Sequence, residues 1–305
     1  MAKAGCKKRK IIICIVSIVA VIALLFGACA VYLGDYYHAI TPAGESFGLQ
    51  DGSSLTETIK LDNGNIVCKS ENATKGLIFY PGGKVEYTAY LPLMESLAQK
   101  GILCVLVRMP FNLAVFDVNA ADGIREMFPE ITDWYIGGHS LGGSMAAAYL
   151  EKHPSDFKGL LLLAAYSTAD LSNEKYKTLS IYGSNDGVLN REKYEQYRSN
   201  LPELTEYIID GGCHAYFGVY GNQDGDGTPT IDNARQINLT ADAVAKWLGE
   251  AHSVSVQINP QYKKYIPRYA FFGTAGFVIG VLFVMCGEPM KLFSFFPLFR
   301  AWLFL

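Results

Sequence analysis

Hydrophobic positions along this chain fall into distinct regimes. Residues 11–33 form an uninterrupted apolar run without a charged side chain, long enough to predict a helix that crosses a bilayer. Residues 34–53 mix Gly, Pro, Ser and Tyr with no period and read as a linker. From 54 to 250, short apolar runs alternate with segments of helical period. From residue 251 the chain leaves that alternation. Residues 269–286 are apolar, uncharged and just long enough to span, which makes them a candidate second membrane segment. Residues 293–305 are a shorter apolar run broken by Pro297 and Arg300, suited to an interface or to packing on the first. A buried core helix followed by a tail is the other reading of this extension.

Within 54–250 the period identifies the elements. Leu55, Ile59 and Leu61 share one face of an extended segment and Thr56, Thr58 and Lys60 the other, with Glu57 interrupting the apolar face. The turn signal Asp62-Asn63-Gly64-Asn65 and the run Ile66-Val67-Cys68 complete an antiparallel hairpin over 54–70. Strands are then predicted at 77–80, 102–107, 134–136, 160–165, 178–182 and 206–209, and helices at 91–100, 121–128, 141–151, 190–200 and 240–250. The strand 102–107 is apolar throughout, as a strand buried on both faces must be. This alternation gives an α/β class with a mainly parallel sheet covered by helices on both faces.

Charge adds direction. The formal net charge is −3, so a nucleic-acid partner is excluded on balance, and the one dense basic run is Lys7-Lys8-Arg9-Lys10. A basic cluster before an apolar helix stays in the cytoplasm, which places the domain that follows outside. The expected organisation is a basic cytoplasmic tail (1–10), an anchor or uncleaved signal (11–33), a linker (34–53), an α/β domain (54–250) and an apolar extension (251–305). Two rivals are a cleaved signal peptide ending near Ala28-Cys29-Ala30 and a lipoprotein-like processing site at Phe26-Gly27-Ala28-Cys29. All three export the domain. If 269–286 also crosses, Lys263, Lys264 and Arg268 fall outside, against the usual bias; an interfacial segment avoids that conflict. The seven cysteines form no framework: most lie in or beside the apolar ends, Cys104 sits in an apolar strand, and Cys68 and Cys213 have no metal-site spacing.

The candidate chemistry centres on Gly138-His139-Ser140-Leu141-Gly142, a G-x-S-x-G sequence between an apolar β-prone run and a small, Ala-rich helix-prone one. A serine on a sharp strand-to-helix turn projects its hydroxyl above the sheet, and flanking glycines admit neighbouring chain segments. An activated serine needs a base, and the base an orienting acid; where the serine sits on a strand-to-helix turn of this kind, the chain order is serine, acid, histidine. Asp186 follows the strand 178–182 and His214 follows the strand 206–209, both at carboxyl ends where sites in parallel sheets gather. Asp210 is a rival acid. His38 lies in the linker, His139 inside the turn, His153 at a helix end where it would cap carbonyls, and His252 beyond the domain. Two N–H donors are needed for an oxyanion: Leu141 after the serine, and Gly83, with Lys84 next, in the loop Tyr80-Pro81-Gly82-Gly83-Lys84.

Those motifs, with Met109 to Phe116, His214-Ala215-Tyr216-Phe217-Gly218 and Tyr220-Gly221, resemble the α/β-hydrolase superfamily, and within it a bacterial branch related to dienelactone hydrolases. The likeness covers about residues 54–250. It implies the α/β-hydrolase fold, with the family's serine, acid and histidine at Ser140, Asp186 and His214. A dienelactone hydrolase proper has a cysteine nucleophile where this chain has Ser140, and the apolar C-terminal extension is not part of the family pattern. Phe111 to Phe116 would line the site or form a small lid. Asp224-Gly225-Asp226-Gly227 has a passing likeness to a calcium loop but lacks its remaining acidic positions and reads as a surface turn. Asn72 and Asn238 begin glycosylation sequons.

The expectation is therefore a membrane-anchored serine hydrolase that cleaves an acyl ester outside the cytoplasm, with the membrane and a small-molecule or lipid-like acyl substrate as partners and no cofactor or metal. Acyl transfer on the same fold is an alternative, as is a non-catalytic membrane-bound binding domain.

Overall fold

The computed structural model describes residues 2–40, 56–71 and 73–249, residues 2–14 by their backbone. The expectations for 251–305, His252, Asn72 and residues 41–55 lie outside the described residues. The chain divides into two compact units, one containing the N-terminal helix and one starting at Tyr36. Helix α1 (Ala2–Gly34) is a single continuous helix. Its stretch Ile15–Gly34, 20 residues and none of it buried, is long and apolar enough to cross a membrane, a test that a signal sequence also passes. At about 1.5 Å per residue it reaches roughly the 30 Å of a hydrocarbon core.

The second unit is built on one 8-stranded sheet of β1 (Thr56–Lys60), β2 (Ile66–Ser70), β3 (Lys75–Tyr80), β4 (Ile102–Leu106), β5 (Asp133–His139), β6 (Gly159–Leu163), β7 (Lys177–Gly183) and β8 (Leu204–Ile209), in the order β1-β2-β4-β3-β5-β6-β7-β8. The first two strands are antiparallel and the rest run parallel from β4 to β8. The hairpin closes through Leu61 N–H to the Asn65 carbonyl at 2.8 Å, and its exposed Glu57 lies opposite Lys69, 3.4 Å from it.

Period-2 alternation splits the central strands between two cores. Leu77 and Phe79 of β3, Ile102, Cys104 and Leu106 of β4, and Leu161 and Leu163 of β6 face one side. That side is covered by α2 (Leu91–Ala98) and α5 (Asn233–Leu248), through Leu93, Met94 and Leu97 and through Ile237, Ala241 and Val244. Ile78, Tyr80, Leu103, Val105, Leu160 and Leu162 face the other side, where α3 (Leu141–Lys152) supplies Ala146, Ala147 and Leu150. Strands buried on both faces must read as continuous apolar runs, which is why β4 and β6 do. Helix α4 (Arg191–Tyr197) is N-capped by the Asn190 side chain, which accepts from Lys193 N–H at 2.9 Å.

Three local expectations change. The predicted helix at 121–128 is a series of turns with only a 3-10 turn at Arg125–Met127. Gly123 has φ 74°, and Ala121 N–H donates to the Tyr80 hydroxyl at 3.0 Å, so the backbone is committed elsewhere. The final helix begins seven residues before the predicted 240, at Asn233, because Asp232 caps it by accepting from Arg235 N–H at 2.8 Å. Of the stretch read as linker, Tyr37 forms a bridge with Val85, and Ile40 N–H reaches the Val219 carbonyl at 2.8 Å, so this part packs on the domain.

Candidate active site

Ser140 is the hinge between β5 and α3. Its φ of 51° and ψ of −123° lie where a non-glycine residue is strained, and such strain persists only where the surroundings impose it. The surroundings are a ladder bond before and a helix bond after: Ser140 N–H donates to the Leu163 carbonyl at 2.9 Å, and Ser144 N–H to the Ser140 carbonyl at 3.2 Å. The flanking glycines are required by close approach. A Cβ on Gly142 would collide with the Tyr80 and Pro81 carbonyl oxygens, and one on Gly138 with the Tyr80 carbonyl and, at 2.7 Å, the Gly142 carbonyl carbon. The start of α3 thus rests directly on the end of β3.

The candidate acid and the candidate base come together. Asp186, in the turn after β7, lies with its Oδ2 3.0 Å and its Oδ1 3.2 Å from His214 Nδ1, and both side chains are shielded from water. Oδ1 also accepts from Val188 N–H at 2.9 Å and Leu189 N–H at 2.8 Å. Burial pushes the Asp186 carboxyl up, but the His214 hydrogen bond and charge and the Leu189 and Val188 donors outweigh it and hold the group below its ordinary value. Imidazole Nε2 of His214 is buried and has no hydrogen-bond partner among the described residues, the Ser140 hydroxyl included. The rival acid, Asp210, is exposed and accepts instead from the Ser184 hydroxyl at 3.4 Å.

The two oxyanion candidates also meet. A Cβ on Gly83 would lie 2.8 Å from Leu141 Cδ2, so the loop after β3 touches the residue after the serine. Neither the Gly83 nor the Leu141 N–H has a partner among the described residues, whereas Lys84 N–H is committed to the Asn112 carbonyl at 2.8 Å and Gly82 N–H to the Tyr90 hydroxyl at 3.1 Å. Lys84, the second choice from sequence, is therefore not a free donor.

With this geometry in view, residues 76–238, more than half of the chain, match the alpha/beta hydrolase family. The chain belongs to the alpha/beta hydrolase family. Its fold is similar to carboxyl esterase 2 from the mycorrhizal fungus Tuber melanosporum, at 12% identity and TM-score 0.50, covering 70% of this chain and 91% of that one. It is also similar to a dienelactone hydrolase from Anabaena variabilis (15% identity, TM-score 0.49, 64% of this chain and 98% of that one). A third such structure is Est1E from Butyrivibrio proteoclasticus (15% identity, TM-score 0.46, 65% and 98%). No curated protein matches the chain.

The hydrolase fold brings in residues that the sequence reading passed over. Tyr90, just before α2, has a hydroxyl that receives Gly82 N–H and stands 2.7 Å from His139 Nδ1. A Tyr90 hydroxyl donating to Nδ1 leaves the His139 proton on Nε2. Burial, and then the charge of His214, push the His139 imidazole well below its ordinary value. Its ring packs 4.6 Å from that of His214. His139 thus links the Gly82–Gly83 loop, through Tyr90, to His214. Gln236 of α5 grips the residue before His214: its Oε1 accepts from Cys213 N–H at 3.0 Å and its Nε2 donates to the Cys213 carbonyl at 2.8 Å. No local pattern announces Tyr90 or Gln236, because both act across the fold.

Other expectations sort as follows. His153 does not cap carbonyls with its ring, which stacks on Tyr149 at 4.2 Å and faces Asp156 at 3.7 Å. Phe111 and Phe116 form an edge-to-face pair at 5.6 Å in the loop after β4, and Phe111 stays 60% exposed on a strained backbone of φ 53°. Among the described residues no cluster suits a metal ion. The sequon at Asn238 lies within α5, with Thr240 buried and its hydroxyl donating to the Gln236 carbonyl at 2.8 Å.

Proposed function

We propose that this chain is a membrane-anchored serine hydrolase that cleaves acyl esters on the extracytoplasmic side. The observation that carries the reading is the shielded His214–Asp186 pair at 3.0 Å, on the same sheet end as a serine held at φ 51°. Ser140 attacks the acyl carbonyl, and His214 Nε2 takes the serine proton. Asp186 fixes the imidazole through Nδ1 and stabilises its charged form. The Gly83 and Leu141 N–H groups receive the oxyanion. His214 then protonates the leaving alcohol, and water, activated by the same imidazole, releases the acid and restores the serine. Unshared N–H groups at the start of α3 favour the negative charge that develops there.

Anchoring rests on the apolar stretch of α1, and the orientation on Lys7 to Lys10 before it. The test is hydrolysis of nitrophenyl esters of increasing acyl length by the full chain in detergent. Wild type turns over, and Ser140→Ala loses on the order of 10³-fold or more while remaining folded. Near-normal turnover by the variant would refute the serine mechanism.

A further inference from the structure

The tetrapeptide Asp224 to Gly227, read from sequence as a surface turn, does more than turn. One carboxylate in it gathers backbone N–H groups from three segments. Asp226 Oδ1 accepts from Gly187 at 3.1 Å, from His214 at 3.1 Å and from its own neighbour Gly227 at 2.8 Å. Its Oδ2 accepts from Ala215 at 2.9 Å. Gly187 is the residue after the acid, and His214 is the base itself. The same loop is pressed against the acid turn elsewhere. Asn185 Nδ2 donates to the Thr228 carbonyl at 2.9 Å, and a Cβ on Gly187 would meet the Gly225 carbonyl at 2.6 Å. Asn185 N–H in turn donates to the Gly212 carbonyl at 2.9 Å, so the acid turn and the base loop also touch directly.

We propose that Asp226 is a positioning residue: a charged clasp that holds the loop bearing Asp186 and the loop bearing His214 at one fixed separation. The inference rests on the serine–histidine–aspartate reading above. A hydrogen bond to an ionised acceptor is about twice as strong as a neutral one, and here four converge on one carboxylate. Asp226 sits beyond the ends of β7 and β8, and its hydrogen bonds reach neither the Ser140 turn nor the Gly83 loop. Its loss therefore alters how well His214 and Asp186 activate the serine and leaves acyl binding as it was. Displacement of a catalytic group by about 1 Å costs on the order of 10²-fold in rate, which sets the scale expected.

The experiment uses the full chain in detergent with Asp226→Ala, Asp226→Asn and, as a stability comparator, Asp242→Ala. The comparator breaks the ion pair between the buried Lys100 and the exposed Asp242, on the α2–α5 side of the sheet. Two rates are read: kcat on a nitrophenyl ester and the second-order rate of phosphonylation by a fluorophosphonate. For Asp226→Ala both rates fall together by about 10- to 100-fold with KM unchanged, and Asp226→Asn, which keeps one carbonyl acceptor, falls less. Asp242→Ala melts earlier with kcat unchanged. If Asp226→Ala does not fold, Asp226→Asn is read by the same criteria, with a loss of more than about 3-fold in both rates expected. The clasp is overturned if kcat stays within about 2-fold of wild type, if only KM changes, or if Asp242→Ala loses as much kcat for the same loss of melting temperature. Retained turnover in Ser140→Ala fails the serine mechanism instead, a separate result.

Discussion

Asp186 and His214 are shielded from water, so each depends on the other. An unpaired carboxylate at that depth would be costly, and a neutral amide in its place could neither accept from Nδ1 with the same strength nor stabilise an imidazolium. Asp186→Asn is expected to lower kcat on the order of 10³- to 10⁴-fold, and Asp210→Asn to leave it within about 2-fold, as ester hydrolysis would measure. The reverse pattern would make Asp210 the acid. His139 gives a second residue-scale expectation. The folded domain keeps this imidazole neutral, while the unfolded chain protonates it below about 6.5. The unfolded state then binds more protons, so the stability present above about pH 6.5 is lost as the pH falls, by up to about 1.4 kcal/mol per pH unit. Replacement by Gln should flatten the melting-temperature slope between roughly pH 6.5 and 5, and an unchanged slope would contradict it. At this scale chain order and strand ends singled out Ser140, Asp186 and His214 in the sequence, and the structure brings the last two into contact. The sequence showed Asp226 only as part of a surface turn and was silent on Gln236 and Tyr90, because their partners lie on other elements.

The elements meet at few contacts, and those contacts are tight. The start of α3 sits on the Tyr80 and Pro81 carbonyls because Gly142 has no side chain. Gly142→Ala is expected to cost about 1–3 kcal/mol and to reduce kcat as the Ser140 turn moves off the oxyanion loop. A melting curve and an ester assay on the same sample would check both, and a fully stable, fully active variant would contradict this packing. On the opposite face, the buried side chain of Lys100 places its Nζ 2.6 Å from the exposed Asp242, joining α2 to α5. Asp242→Ala should therefore cost about 1–2 kcal/mol, seen as a drop in melting temperature. Strand positions were legible because burial on both faces demands unbroken apolar runs. The helix at 121–128 was misread because periodicity does not register that Tyr80 captures the Ala121 N–H or that Gly123 turns left-handed. The first turns of α5 were missed because they are polar and begin at an Asp232 cap.

At the scale of the molecule, an alpha/beta hydrolase domain follows an apolar helix that is long enough to span a bilayer. The orientation proposed from Lys7 to Lys10 predicts that protease added to right-side-out vesicles digests the domain, and that inside-out vesicles protect it. Protection in right-side-out vesicles would place the enzyme in the cytoplasm. The fold, and the strand ends where the candidate residues gather, were readable from alternation and motif spacing; a substrate was not, because the shape of a pocket depends on how distant loops meet. The central claim is that Ser140 is a nucleophile activated by His214. Reaction of the full chain with a fluorophosphonate, followed by peptide mass spectrometry, tests it most directly. A single adduct is expected on the peptide bearing Ser140, absent in Ser140→Ala and strongly slowed in His214→Ala. An adduct on another residue, or labelling of Ser140 undiminished in His214→Ala, would contradict it.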